Sequence, residues 1–139
     1  METKTPITVS ATVDNSLEKV WNAWTMPEHI TKWNFASDDW CCPHATNDPR
    51  TGGKFSARME AKDGSMGFDF GGEYSNVVTQ KLIEYALSDG RKVSISFEES
   101  GNQVIVNETF DPENEHPVDF QKAGWQAIMD NFKKHAETL

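Results

Sequence analysis

Four polar residues, Arg58, Asp69, Glu108 and His44, are of types that could do chemistry, as separate candidates whose positions in the sequence do not clearly converge. Arg58 falls in a run, Lys54 to Ala61, that alternates polar and apolar residues. A guanidinium turned inward there would hold a carboxylate or phosphate through its two-pronged fork; turned outward, it would pair with Glu60 or Glu73. Asp69 lies between Phe68 and Phe70, and Glu108 is the acid in the apolar alternation Val104, Val106, Phe110. Burial would raise the pKa of either carboxyl, as acid–base work requires, although such side chains more commonly face water. His44 is the histidine nearest the aromatic residues. No G-x-S-x-G, G-x-G-x-x-G or phosphate-loop pattern occurs, so triad hydrolysis and nucleotide binding have no support. Arg58, His44, Asp69 and Glu108 are therefore read as possible polar anchors for a ligand, with no catalytic residue assigned.

Cys41 and Cys42 are adjacent; bridging neighbours forces a strained ring, so both are expected as free thiols. With His44 they do not match the spacing of a zinc site. Neither metal nor cofactor is expected.

The apolar side of the chain is more pronounced. Trp21, Trp24 and Trp33 fall within fourteen residues, VWNAWTMPEHITKW. Tryptophan is costly to expose and its N–H needs a partner, so such a cluster fills a core or lines an apolar cavity. Trp33, Phe55, Met59, Phe68, Phe70, Tyr74, Trp125 and Met129 form the candidate ligand-binding wall. Core filling is the alternative for each.

The surrounding elements follow from periodicity. Ile7, Val9, Ala11 and Val13 alternate with polar residues as in a half-buried strand. Asn15 with Glu18 reads as a capping box that opens a helix through Leu17, Val20, Trp21 and Trp24. Pro27 opens a second short helix to about Lys32. From Trp40 to Phe110, short alternating runs are punctuated by turn residues, and Asp63-Gly64 and Asp89-Gly90 read as tight primed hairpin turns. Residues from about Val118 to Thr138 form a Pro-free amphipathic helix with Phe120, Ile128 and Phe132 on its packing face, widened by a second line of Trp125, Met129, Phe132 and Ala136. Gly124 inside it is expected at a close approach of the backbone. These elements predict an α+β domain, helices on one face of a curved antiparallel sheet. The 139 residues suit one compact domain.

The charge balance, 22 acidic against 13 basic residues and a net −9, excludes nucleic acid as an expected partner. No run reaches the length of a membrane helix, and METKTPITVS does not read as a secretion leader; the expected address is the cytoplasm. Oligomeric state is not set by these features.

Four segments carry a resemblance: VWNAWTMPEHITKW, RTGGKFSARMEAKDGSMGFDFGGEY (Arg50 to Tyr74), IEYALSDGRKVSISF (Ile83 to Phe97) and GWQAIMDNFKKH (Gly124 to His135). In this order they resemble the START-like, or helix-grip, superfamily, and its branch similar to the C-terminal domain of the activator of heat-shock protein 90 ATPase. The resemblance implies a curved sheet wrapped around a long C-terminal helix over a cavity. Relatives bind lipids or other hydrophobic molecules, and some are cyclases or hydrolases. The function it implies is binding of a small hydrophobic molecule, lipid-like or polycyclic, in a cavity of about 300 to 1,000 Å³. The branch further implies a chaperone as partner, although the eukaryotic activators carry an additional N-terminal domain not recognisable in this sequence.

Overall fold

The computed structural model describes residues 5–87 and 89–139. The chain begins with β1 (Ile7–Val13), followed by α1 (Leu17–Thr25) and α2 (Pro27–Trp33). Seven strands come next: β2 (Trp40–Cys41), β3 (Ala45–Asn47), β4 (Lys54–Ala61), β5 (Gly67–Val78), β6 (Leu82–Leu87), β7 (Lys92–Ser100) and β8 (Gln103–Phe110). The helix α3 (Val118–Ala136) closes the chain. The sheet runs β1-β8-β7-β6-β5-β4-β2, with β3 also on β4, and every pairing is antiparallel. This is the expected α+β arrangement, a meander closed by the first strand against the last.

Alternation decides which face each strand buries. On β6, Ile83, Tyr85 and Leu87 are buried; on β7, Val93, Ile95 and Phe97; on β8, Val104, Val106, Glu108 and Phe110. Gly71 and Gly72 let β5 cross its neighbours closely. A Cβ at Gly71 would lie 2.4 Å from the Phe55 carbonyl oxygen, and one at Gly72 2.5 Å from that of Ala86.

The helix α1 is capped one residue later than expected. Ser16 Oγ accepts from the Lys19 N–H at 3.3 Å, whereas Asn15 Nδ2 donates to the carbonyls of Ala136 and Leu139, both at 2.9 Å. Asn15 is thus occupied in tying the start of α1 to the unsatisfied end of α3. The two expected primed turns are also longer than two residues. The β4–β5 turn closes with Ala61 N–H on Met66 O at 2.9 Å, and the β6–β7 turn with Leu87 N–H on Arg91 O at 2.8 Å. Gly64 and Gly90 take the left-handed position in them, with φ of +79° and +90°.

On α3 the buried face follows the expected line Trp125, Met129, Phe132 and Ala136, and Phe120 alone departs from the expected packing face. Phe120 is 65% exposed and stacks on His116, so it does not pack on the sheet. The buried line is Gln121, Met129, Phe132 and Ala136, flanked by the partly buried Trp125 and Ile128. Gln121 is accommodated because its amide is saturated by the preceding loop: Oε1 accepts from Glu113 N–H at 2.9 Å, and Nε2 donates to Glu113 O at 3.1 Å and His116 O at 2.8 Å. Gly124 makes no close approach, since a Cβ there meets nothing within 4 Å. With helical backbone and open space, Gly124→Ala is expected to stabilise the protein by about 0.5–1 kcal/mol. An unchanged or lower denaturant midpoint would contradict this placement.

Candidate functional site

The helices and the inner sheet face do not fill the space between them. A cavity of about 210 Å³ is bounded by α1, α2 and α3 above and by β4, β5, β6 and β8 below. It is smaller than the range expected from sequence, because aromatic rings occupy much of the gap. Trp24 and Trp33 meet at 4.9 Å between ring centroids, and both pack edge-on against Phe132, at 4.8 and 5.0 Å. Trp33 Nε1 donates to the Ala23 carbonyl at 2.9 Å, which satisfies its one polar atom and fixes the ring. Trp21 lies deeper, against Phe97 at 5.1 Å. The N-terminal tryptophans thus serve as core and as cavity wall at once.

Seven of the eight aromatic and methionine candidates border this space: Trp33, Phe55, Met59, Phe68, Phe70, Tyr74 and Trp125. Phe55 is the hub of the sheet side, at 5.2 Å from Tyr74 and 4.7 Å from Tyr85. Trp125, from α3, stacks flat on Phe110 at 3.8 Å and faces Phe70 edge-on at 6.1 Å. Phe68 is half exposed beside Trp40. Met129 does not reach the cavity and lies fully buried in the core. It sits one step round α3 from Ile128, which takes the wall position instead.

The polar candidates divide sharply. Arg58 is on the outer face of β4, its Nε 3.2 Å from Glu60 and its Nη1 3.6 Å from Asp69 across the strand pair. Asp69, with a side chain 66% exposed, is accordingly solvated. The His44 side chain is exposed, and its contribution is the backbone carbonyl that accepts from Arg58 N–H and Cys42 Sγ. Glu108 alone of the four faces inward. It is 6% exposed and borders the cavity, held between Val9 of β1 and Ile95 of β7. Burial raises its carboxyl from 4.5 to about 8. The expectation that a carboxylate here faces water is thus corrected for Glu108; the alternation of β8 dictates its direction whatever the side chain's polarity.

Two phenol hydroxyls share this interior. Burial, and secondarily the Glu108 charge, push Tyr85 well above the usual phenol range. Tyr74 is raised by burial as well, while its hydroxyl donates to Asn47 Oδ1 at 2.5 Å. Tyr85 and Ile83 are wall residues that the sequence reading missed; the alternation Ile83, Tyr85, Leu87 is the signal that would have found both. Cys41 and Cys42 are free, and burial, then Cys41, raises the Cys42 thiol to about 11. Away from the cavity, His29 Nδ1 and His135 Nε2 meet at 2.9 Å where α2 crosses α3, and desolvation, followed by His29, lowers the His135 pKa.

A curved antiparallel sheet gripping a C-terminal helix over an apolar space defines the helix-grip class. The sequence profile of the Activator of Hsp90 ATPase homolog 1-like proteins matches residues 14–137, and the chain belongs to that family. The solution structure of an AHSA1-like protein from Aeromonas hydrophila is similar with a TM-score of 0.90 and 40% identity, over 96% of this chain and 93% of that one. A solution structure from Cytophaga hutchinsonii is 51% identical with a TM-score of 0.82, over 95% and 92% of the two chains. A crystal structure from Chromobacterium violaceum shares the fold at 19% identity and a TM-score of 0.84, over 96% and 99%. No significant match is found among curated protein sequences. Among the described residues no helix is long and apolar enough to cross a membrane.

Proposed function

We propose that the protein binds a small, largely apolar ring molecule in the cavity between α3 and the sheet. The observation that carries this reading is a space of about 210 Å³ walled mainly by aromatic and aliphatic side chains. An apolar cavity of about 150 Å³ suffices to bind benzene, so this one suits a one- or two-ring ligand better than a long acyl chain. Trp33, Phe55, Met59, Phe70, Tyr74 and Trp125 would supply the contact surface, and Phe68 the mouth. The dispersed placement of Arg58, Asp69 and His44 favours binding over catalysis, which needs polar groups converging on one substrate.

The neutral two-ring probe 2-naphthylmethanol is expected to bind the protein in a calorimetric titration. Ala57, on the cavity floor at 3% exposure, provides the block: Ala57→Leu should reduce that affinity by about tenfold or more while leaving the circular dichroism spectrum native. Equal affinity in both proteins would remove the cavity as the site.

A second reading rests on the family description, which names an Hsp90 ATPase activator, and on the exposed Met66 and Phe68 at the β4–β5 hairpin, 65% and 48% accessible. It expects the protein to raise the ATPase rate of purified Hsp90 and Met66→Ser/Phe68→Ser to abolish the gain. A rate unchanged by the unmodified protein would dismiss it.

A further inference from the structure

Among the described residues bordering the cavity there is one carboxyl and no cation. Glu108 projects from β8 into the aromatic enclosure. No group among the described residues hydrogen-bonds its carboxyl, and desolvation alone accounts for its perturbation. The bordering residues include no Lys, Arg or His. The titratable side chains that share the enclosure are the tyrosines: Tyr85 from β6, which feels the Glu108 charge, and Tyr74 from β5, committed to Asn47. Among the described residues, α1, α2 and α3 present Trp24, Ile30, Trp33, Trp125 and Ile128 to it, with Asn34 at the end of α2.

No unpaired side-chain oxygen among the described residues is sealed off, so the Glu108 carboxyl opens onto the cavity. A carboxyl turned into an apolar space with no protein partner is costly in a purely structural role, and a leucine at 108 would pack the same strand face at no such cost. The geometry points to a ligand that completes the pair: an aromatic or other apolar amine, its ammonium hydrogen-bonded to Glu108 and its ring held among Trp33, Phe55, Tyr85 and Trp125. Three further features agree. The faces of tryptophan and tyrosine attract a cation and repel an anion. The protein's net charge of −9 draws cations and disfavours carboxylate ligands such as fatty acids. Asn34 and Thr46, which also border the space, supply neutral polar edges without a competing charge. This inference rests on the cavity-binding reading above and specifies its ligand class.

The test compares three ligands of one shape, 2-naphthylmethylamine, 2-naphthylmethanol and 2-naphthoate, by calorimetry on the intact protein at pH 7.5. The amine is expected to bind about tenfold or more tightly than the alcohol, and the carboxylate least tightly. Glu108→Gln, close in shape but without charge, should bring the amine to within about threefold of the alcohol. At pH 6.5, where Glu108 is mostly protonated in the free protein, amine binding should release close to one proton; the release is read from titrations in two buffers of different ionisation enthalpy and should be lost in Glu108→Gln. Alcohol and amine bound equally well, or an amine preference that persists in Glu108→Gln, would overturn the ligand class and leave the cavity reading standing. Failure of all three to bind would overturn both.

Discussion

Replacing Phe132 by alanine is expected to destabilise the protein by about 3–5 kcal/mol, measured as the loss in unfolding free energy in urea. The ring is fully buried, at 0% exposure. It packs edge-on against Trp24 and Trp33 at 4.8 and 5.0 Å, so its removal takes away both the transfer term and the edge-to-face contacts. Relaxation is hindered because Trp33 is fixed through its bond to Ala23 and α3 is tied to the start of α1 by Asn15. Whole domains are stable by only about 5–15 kcal/mol, so one side chain here decides much of the folded population. The void would also extend the neighbouring cavity. A loss below about 1 kcal/mol would contradict the assignment of Phe132 to the inner face of α3.

The second large effect is a pH dependence with a defined sign. Glu108 titrates at 4.5 in an ordinary environment and at about 8 in the folded protein. Below pH 4.5 the carboxyl carries its proton in both folded and unfolded chains, so its ionisation takes nothing from stability. As pH rises through the interval to 8, the unfolded chain ionises freely while the folded one retains the proton, so folding becomes less favourable with each unit. Above 8 the contribution is lost, a total of about 5 kcal/mol. Glu108→Gln is uncharged throughout and escapes this loss. Its stability relative to the parent should therefore rise by several kcal/mol between pH 4 and pH 9, in denaturant titrations run at both. Parallel pH curves for the two proteins would place Glu108 in contact with solvent.

The elements that sequence made legible are those where a single period governs burial. The alternation of β1, β4, β7 and β8, and the order strand, two short helices, meander, long helix, follow from side chains that must face one way. Where a polar residue takes a core position, the same reasoning slips. Gln121 is buried with its amide saturated by the loop upstream, whereas Phe120 beside it is exposed. Asn15 is drawn from capping α1 to the carbonyls of a helix end more than a hundred residues distant. Glu108 is the inverse case. Its strand period gave the correct direction, and only the expectation that carboxylates seek water opposed it. The size of the cavity was beyond sequence reasoning, because it is set by how rings from α1, α2, α3, β4 and β5 interleave across the interior. Which aromatic residues border it was largely readable, since Phe55 and Met59 share a strand face and Trp33 closes α2.

The most direct test of the binding account is a set of intermolecular nuclear Overhauser effects between 2-naphthylmethylamine and methyl-labelled protein. The account predicts contacts from the bound ring to the methyl groups of Ile30, Met59, Ile83 and Ile128, which border the cavity from α2, β4, β6 and α3, with the aminomethyl protons nearest β8. Contacts confined to Met66 or Val118, both exposed outside the cavity, or no contacts at saturating ligand, would contradict it.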